Sequence, residues 1–490
     1  PDGGTASLTV TRLDRRAREV TVRAGPSKLA ALEGLQALHP TGPLDTKVLQ
    51  AAVMAAIDDQ CGARSMGAVD DLLSRRAPRL RRPREGDILD GLDAVAGTIA
   101  AVRDLDGSVL PVQGPPGTGK TYVTARAILA LLREGKRIGV ASNSHEAVKN
   151  VLLGVLEALA PEDPDIEILH KLSDDIYPDD CPIERVTDNG RAEEGLHLVG
   201  GTVFFFAREA NRQRFDYIFV DEAGQVGLAN LVAIATAARN LVLVGDPQQL
   251  PQVIQGSHPA PLDLSGLEYL LNGAPTIPPD AGVFLDVSRR MHPDICGFLS
   301  RYIYDGRLRS FGPCATLAVD AAGLPPAGAH LVACPHQGNS QMAEAEVHAI
   351  CATIDRLMGA HWTSKEGDTR PLTAADIIVV APYNLQVNAL RQAVPDGVRV
   401  GTVDKFQGQE AAVCLVSMTS SSGEEMPRGM EFLLSANRLN VALSRAKALA
   451  LVFASPRLLE AECHTVEDMA RVNLLCALAE QGAGADGAPS

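Results

Sequence analysis

The chain lacks the marks of several protein classes. Its nine cysteines include no C-x-x-C pair, which argues against a zinc ribbon or an iron–sulfur cluster and for reduced thiols. No run of 18 or more apolar residues occurs, and no basic-then-apolar leader opens the chain. Neither a membrane-spanning helix nor a secretory signal is expected, and a cytoplasmic location is. Positive charge is short as well: 45 Lys and Arg against 60 Asp and Glu leave a net charge of −15. A protein that held nucleic acid over its whole surface would be basic, whereas one that grips a few nucleotides in a groove needs only local positive charge. No internal repeat of solenoid period stands out. What is there is a 490-residue chain with 46% hydrophobic residues, enough for two or three domains with cores of their own. It begins at Pro1 rather than Met, as expected of a processed or excised piece of something longer.

Three stretches differ in character. Residues 1–85 form an N-terminal accessory region. The alternating segments Ser7-Leu8-Thr9-Val10 and Glu19-Val20-Thr21-Val22 predict a small β element there, and an apolar helical stretch follows from about Lys47 to Ile57. Ser74 to Arg84 then carries six arginines and two prolines. That is the composition of a solvated linker or, alternatively, of a strap that touches nucleic acid. Residues 86–280 alternate short apolar strands with helical stretches, the strands falling at Ile138–Val140, Thr202–Phe206, Tyr217–Val220 and Leu241–Val244. Such alternation predicts a parallel sheet with helices on both faces. A second α/β unit spans residues 281–470, with strands at Ile377–Val380, Ala412–Val416 and Leu449–Phe453. Residues 471–490 are a tail whose Gly/Ala/Pro/Ser composition after Ala479 predicts disorder.

The densest chemical signal is Gly114-Pro115-Pro116-Gly117-Thr118-Gly119-Lys120-Thr121, a full G-x-x-x-x-G-K-[ST] loop. It follows the β-leaning run Val109–Gln113 and precedes Tyr122–Leu132, apolar at helical spacing. Glycines let backbone N–H groups turn inward around an anion, and the helix adds its positive N-terminal end. Lys120 would reach the β- and γ-phosphates, and the Thr121 hydroxyl would hold Mg²⁺. A hundred residues on, Phe219-Val220-Asp221-Glu222-Ala223-Gly224-Gln225 ends an apolar strand in two carboxylates. In phosphate-loop enzymes this is where an Asp holds Mg²⁺ and a neighbouring Glu orients the attacking water, although such a pair at a strand end is also common as a solvated turn. Gly245-Asp246-Pro247-Gln248-Gln249-Leu250 follows another strand. Alone it is equally a Gly-Asp-Pro turn or a glutamine placed to sense a γ-phosphate.

In this order the three motifs resemble those of superfamily 1 helicases, and the second half extends the resemblance. Ser288-Arg289-Arg290-Met291-His292-Pro293 is similar to the family's Tyr-Arg-Met-His-Pro motif, and Val380-Ala381-Pro382-Tyr383-Asn384 to its Pro-Tyr motif. Gly401-Thr402-Val403-Asp404-Lys405-Phe406-Gln407-Gly408-Gln409-Glu410 matches motif V, and Arg438 to Ala446, through Ser444 and Arg445, matches motif VI. The resemblance spans residues 105–455, and its branch is that of the nonsense-mediated-decay helicase (the 1B branch). It implies an α/β protein of two RecA-like parallel-sheet domains in tandem, with a small N-terminal accessory region. It further implies an ATP hydrolase that translocates on single strands 5′ to 3′, unwinds duplexes and uses ATP with Mg²⁺. Arg290 and Arg445 would be arginine fingers, Gln249 the γ-phosphate sensor and Glu410 the ribose contact. Ser144 and His145 (motif Ia), Thr202 (motif Ic) and Thr402 (motif V) would hold strand phosphates without reading bases, on DNA for preference and on RNA as the alternative.

Two departures bear on specificity. The family places a glutamine about 20 residues before the phosphate loop to recognise adenine, and none occurs between Gln60 and Gln113. The Tyr that stacks on the base is here Arg289, whose guanidinium also stacks on purines. A weaker preference for ATP over GTP is therefore expected. The N-terminal region is short for the barrel and stalk such helicases insert. Bacterial fusions with a RecB-like nuclease upstream of this motor would suit the composition and the missing Met, but no nuclease carboxylate–Lys constellation lies within these residues. A rival of another class is a nucleotide-switched module that remodels a partner complex without unwinding.

Overall fold

The computed structural model describes residues 9–14, 19–23, 45–173, 176–194, 197–252, 258–406 and 408–485. Ser7, Leu8, Gln407 and residues 486–490 lie outside them. The chain divides into two compact units, residues 1–48 and 49–490. In the first, β1 (Thr9–Asp14) and β2 (Glu19–Arg23) pair antiparallel, Val10 opposite Val22 and Leu13 opposite Val20.

The second unit holds two parallel sheets. The first comprises β3 (Val109–Gln113), β4 (Ile138–Ala141), β5 (Ile168–Lys171), β6 (Glu184–Val186), β7 (Leu198–Gly201), β8 (Phe215–Val220), β9 (Ala238–Gly245) and β10 (Val283–Phe284). Their spatial order is β10-β3-β9-β8-β4-β7-β5-β6, with every ladder parallel. Alternate residues feed opposite cores: Ile218 and Val220 of β8 pack on one face, Tyr217 and Phe219 on the other. This is why the strands read as unbroken apolar runs, both faces being covered. β11 (Val287–Ser288) and β12 (Arg309–Ser310) form a short parallel pair. The second sheet, in the order β14-β20-β19-β17-β18, joins β14 (Gly328–Ala333), β17 (Ile377–Val380), β18 (Arg399–Gly401), β19 (Ala411–Ser417) and β20 (Ala446–Ala454), again all parallel. A three-stranded antiparallel ribbon, β13 (Ala318–Asp320), β15 (His361–Thr363) and β16 (Thr369–Pro371), stands beside it. The expected tandem RecA-like architecture is the one observed.

Helices named below are α1 (Lys47–Cys61), α2 (Gly67–Leu73), α3 (Ala94–Asp104), α4 (Lys120–Leu132) and α5 (His145–Ala158). Asp93 caps α3 by accepting from the N–H groups of Val95 and Ala96. No helix among the described residues is long and apolar enough to cross a membrane.

Two expectations are corrected and a third is qualified. Val203–Phe206 is a short helix, not a strand; the strand is β7, which stops at Gly201, and Thr202 begins the helix. Aromatic propensity for strands is overridden because Phe206 packs edge-on against Phe205 and Phe215 in the core. Ser74–Arg84 is largely exposed, as a solvated segment would be, but carboxylates around α2 and α3 hold several of its arginines. Arg79 lies 3.1 Å from Asp71, Arg76 2.5 Å from Asp70 and Arg84 3.3 Å from Asp104, while Arg75 sits over the Tyr269 ring at 4.0 Å. The tail is helical to Ala485, in a helix that starts at Val466. Val472, Leu475 and Leu478 form an apolar stripe buried in the second domain's core.

Candidate functional site

Between β3 and α4 the phosphate loop turns at Gly117 and Gly119, with φ of +76° and +80°, the left-handed region that glycine reaches without strain. Space demands glycine at 117 as well. A Cβ there would stand 2.5 Å from Arg290 Cβ and 2.7 Å from Ser288 Oγ, so the loop is in close contact with the chain leading into the second domain. The Thr118 hydroxyl donates to Pro115 O at 2.8 Å, and Lys120 Nζ to Gly114 O at 2.7 Å. α4 buries Val123, Ile128 and Leu131 against the sheet. That anchoring holds its N-terminal amides and dipole at the loop, an anion-binding arrangement.

Asp221 and Glu222 leave the C-terminal end of β8. Asp221 is 6% exposed, and its N–H donates to Ala141 O at 2.9 Å. Burial drives its carboxyl above the ordinary carboxylate range. Repulsion from Glu222 adds to this, and Lys120 opposes it. Glu222 itself adopts φ +53°, a strained backbone for a non-glycine residue and one that clusters at functional sites. After β9, Gln249 Nε2 donates to Asp246 Oδ2 at 3.0 Å.

The facing wall comes from the second domain. Arg290 Nε donates to Glu410 Oε2 at 2.5 Å and Nη1 to Ser444 O at 3.2 Å, while Lys447 Nζ lies 2.8 Å from Glu410 Oε1. Burial works to raise the Glu410 pKa, but Arg290 and Lys447 outweigh it and the net shift is downward. Arg445 is 2% exposed. Its Nη1 donates to Gln409 O at 3.0 Å, yet its buried Nε has no partner among the described residues. Burial, and then the charge of Arg290, push its pKa down to about 10. A buried guanidinium with a free donor is a costly arrangement unless an anion completes it. Gly117 to Thr121, Asp221, Glu222 and Gln249 line one cavity of about 690 Å³ together with Arg289, Arg290, Glu410 and Arg445. Gly117 and Arg445, 328 positions apart in sequence, thus meet across one cleft.

The chain is similar to several known proteins. Two family models, each described as an AAA domain, match residues 96–264 and 262–457. The DNA replication ATP-dependent helicase/nuclease dna2 of Schizosaccharomyces pombe is 28% identical over 379 residues, covering 70% of this chain and 26% of that protein. RNA helicase Mov10l1 of Mus musculus is 27% identical over 416 residues, covering 74% of this chain and 34% of that protein. The chain is thus similar to helicases over about 70% of its length. It spans about a quarter to three fifths of the length of the curated relatives it matches. Among solved structures, arterivirus nonstructural protein 10 (helicase) in complex with DNA is similar at 16% identity and a TM-score of 0.41, covering 71% of this chain and 61% of that one.

The remaining helicase motif residues divide. Arg289 lines the cleft, but its guanidinium lies over the Phe311 ring at 4.4 Å. It also borders an adjoining cavity of about 990 Å³ with Asp87, Asp93, Tyr122 and Arg307. Gly114 and Pro115, at the start of the loop, do not line the cavity. Ser144 lines the nucleotide-side cleft, whereas His145, Thr202 and Thr402 do not. All four follow C-terminal ends of parallel strands: Ser144 and His145 after β4, Thr202 after the adjacent β7, and Thr402 after β18. His145 Nδ1 lies 3.1 Å from His170 Nε2, and His170 Nδ1 lies 2.7 Å from the Tyr177 hydroxyl. Burial, with the nearby His145, brings the His170 pKa down to about 3, so that ring is neutral at physiological pH.

Motif matching missed a buried bridge between the domains. Asp246 Oδ2 accepts from the Tyr304 hydroxyl at 2.7 Å, and that hydroxyl accepts from Asn440 Nδ2 at 2.6 Å. Asn440 Nδ2 also donates to Gln248 O at 2.7 Å. The γ-phosphate candidate Gln249 and the motif VI helix Ala436–Leu443 are thereby joined through Asp246 and Tyr304. A tyrosine just past the end of the helix Pro293–Ile303 gives no hint that its hydroxyl will cross to another domain.

The donor set fits the ligands the family uses. Thr121 and Asp221 bring a hydroxyl and a carboxylate to one cavity. Mg²⁺ is commonly held by one or two such oxygens and completed by substrate phosphates. The glycine cradle and the unpartnered Arg445 Nε fit a phosphate chain.

Proposed function

We propose that this chain is an ATP-dependent nucleic-acid helicase of the cytoplasm, hydrolysing ATP at the interdomain cleft and moving 5′ to 3′ on single strands, with DNA favoured over RNA. The observation that carries the reading is the convergence of Lys120, Asp221, Glu222, Gln249, Arg290 and Arg445 on one cavity from two sheets. Lys120 and the loop amides hold the β- and γ-phosphates. Thr121 and Asp221 hold Mg²⁺, which would neutralise charge on the phosphate oxygens. Glu222 orients the attacking water and accepts its proton, while Arg290 and Arg445 stabilise charge developing on the transferred phosphoryl group. Gln249 senses the γ-phosphate, and the Asp246–Tyr304–Asn440 bridge supports transmission of its position to motif VI. Arg289 borders the base and Glu410 the ribose.

Hydrolysis that opens and closes the cleft shifts the two domains relative to each other. Ser144, His145, Thr202 and Thr402, at strand ends of both sheets, would then hold a strand in turn. These are hydroxyl and imidazole contacts to phosphate, which suits a chain of net charge −15. The cavity beside Arg289 presents the carboxylates of Asp87 and Asp93 and no side-chain amide, which supports weak discrimination between ATP and GTP. The test is strand separation with ATP and Mg²⁺ on duplexes carrying a 5′ or a 3′ tail. Opening of the 5′-tailed duplex alone is expected. ATP hydrolysis without opening of either would transfer the reading to a nucleotide-switched module.

A further inference from the structure

Beyond the helicase motifs, a second kind of element reaches the nucleotide cleft. β15 and β16 form a hairpin whose partners are His361 with Pro371, Trp362 with Arg370 and Thr363 with Thr369. The connecting turn is closed by Ser364 N–H donating to Asp368 O at 2.8 Å and by Gly367, at φ +89°, donating to Ser364 O at 3.0 Å. The hairpin is braced from two sides. The Thr316 hydroxyl donates to Ser364 O at 2.9 Å, and Arg370 forks onto Asp376 at 2.6 and 2.7 Å while its guanidinium lies 4.8 Å over the Trp362 ring. A bidentate arginine pair of this kind fixes direction as well as contact.

That bracing aims the hairpin at the cleft. Trp362, Ser364, Lys365 and Glu366 line the same cavity as Lys120 and Arg290. Trp362 is the chain's single tryptophan, and its buried indole N–H has no partner among the described residues. Lys365 is held only loosely, 3.9 Å from the exposed Glu366. Burial pushes the Cys314 thiol up, and both Lys365 and Arg289 pull against it, so the two cations act on one neighbourhood.

We propose that this hairpin is the outer wall of the nucleotide site and that Lys365 donates to an anionic phosphate oxygen of the bound nucleoside triphosphate. The inference rests on the nucleotide reading of the cleft, and it adds a cation that no phosphate-loop motif supplies. An ammonium reaching across from the second domain would strengthen binding and barely touch the chemical step, since it is remote from Glu222 in role and is only half-buried.

The experiment is equilibrium titration of the whole chain with N-methylanthraniloyl-ATP and Mg²⁺, for the wild type and for Lys365→Ala, Lys365→Glu and Lys365→Arg. Binding is expected to weaken about five- to tenfold in Lys365→Ala and further in Lys365→Glu, with Lys365→Arg close to wild type. Recovery by arginine marks a charge effect, because a merely structural tip would not distinguish the variants by sign. The loss in Lys365→Ala should shrink as salt rises, and the Trp362 emission of the wild type should change on adding ADP. Equal affinity in all four proteins would overturn the inference while leaving the phosphate-loop site standing. Failure of the wild type to bind would overturn both.

Discussion

The two walls of the cleft are built from different materials. The first-domain wall is largely backbone: loop amides, two glycines in the left-handed region and a helix N-terminus, with short side chains at strand ends. The second-domain wall is long side chains, Arg290 and Arg445, held by carbonyl groups and by Glu410. Backbone fixed by a sheet and a buried helix is preorganised whether or not the domains close. On the proposed reading, guanidiniums on the opposite domain would act only when the cleft narrows. One wall would then bind and the other trigger, making hydrolysis conditional on domain movement.

Variants of the two walls should separate on this line. The largest effect is expected on the binding wall: Lys120→Ala should abolish turnover, by about a thousandfold or more, and weaken nucleotide binding in the same titration. Glu222→Gln should abolish turnover equally but keep the nucleotide bound, since it removes the group that orients water. Next, Arg445→Ala should lower kcat by about a thousandfold with nucleotide affinity changed only a fewfold. Parallel losses of affinity and kcat in Arg445→Ala would erase the distinction between the walls. Smaller again is Tyr304→Phe. Losing the hydroxyl between Asp246 and Asn440 should cost about 1 to 2 kcal/mol in urea unfolding and reduce the coupling of hydrolysis to nucleic acid. The least is base identity: kcat/KM for GTP should lie within about tenfold of that for ATP, a gap of roughly 1.4 kcal/mol. A strong ATP-only profile would show that Asp87, Asp93 and Arg289 discriminate after all.

Much of this was legible in the residues, and for a physical reason. Phosphate binding is local: the loop, the preceding strand and the following helix occupy one stretch from Val109 to Leu132, so spacing alone reports it. Strands buried on both faces announce themselves as apolar runs, as Leu241–Val244 and Ala412–Val416 do. Legibility fails where a contact is non-local. Val203–Phe206 reads as a strand until the packing of Phe206 on Phe215 is known. The ion pairs of the arginines in residues 74–84 cannot be read until Asp71 and Asp104 are brought beside them. Tyr304 and Lys365 carry no motif, because their significance depends on which surface the fold sets opposite them. The same holds for the tail, where glycines at 482 and 484 mask a helix held by an apolar stripe further back.

The central claim is that the two walls close under the influence of a bound strand. The most direct test is ATP hydrolysis by the intact chain with Mg²⁺, measured alone and with single-stranded DNA or RNA. The account predicts at least about a tenfold rise in kcat with one or both polymers, absent in Arg445→Ala. An unchanged kcat with both polymers, in a wild-type chain that hydrolyses ATP, would contradict it.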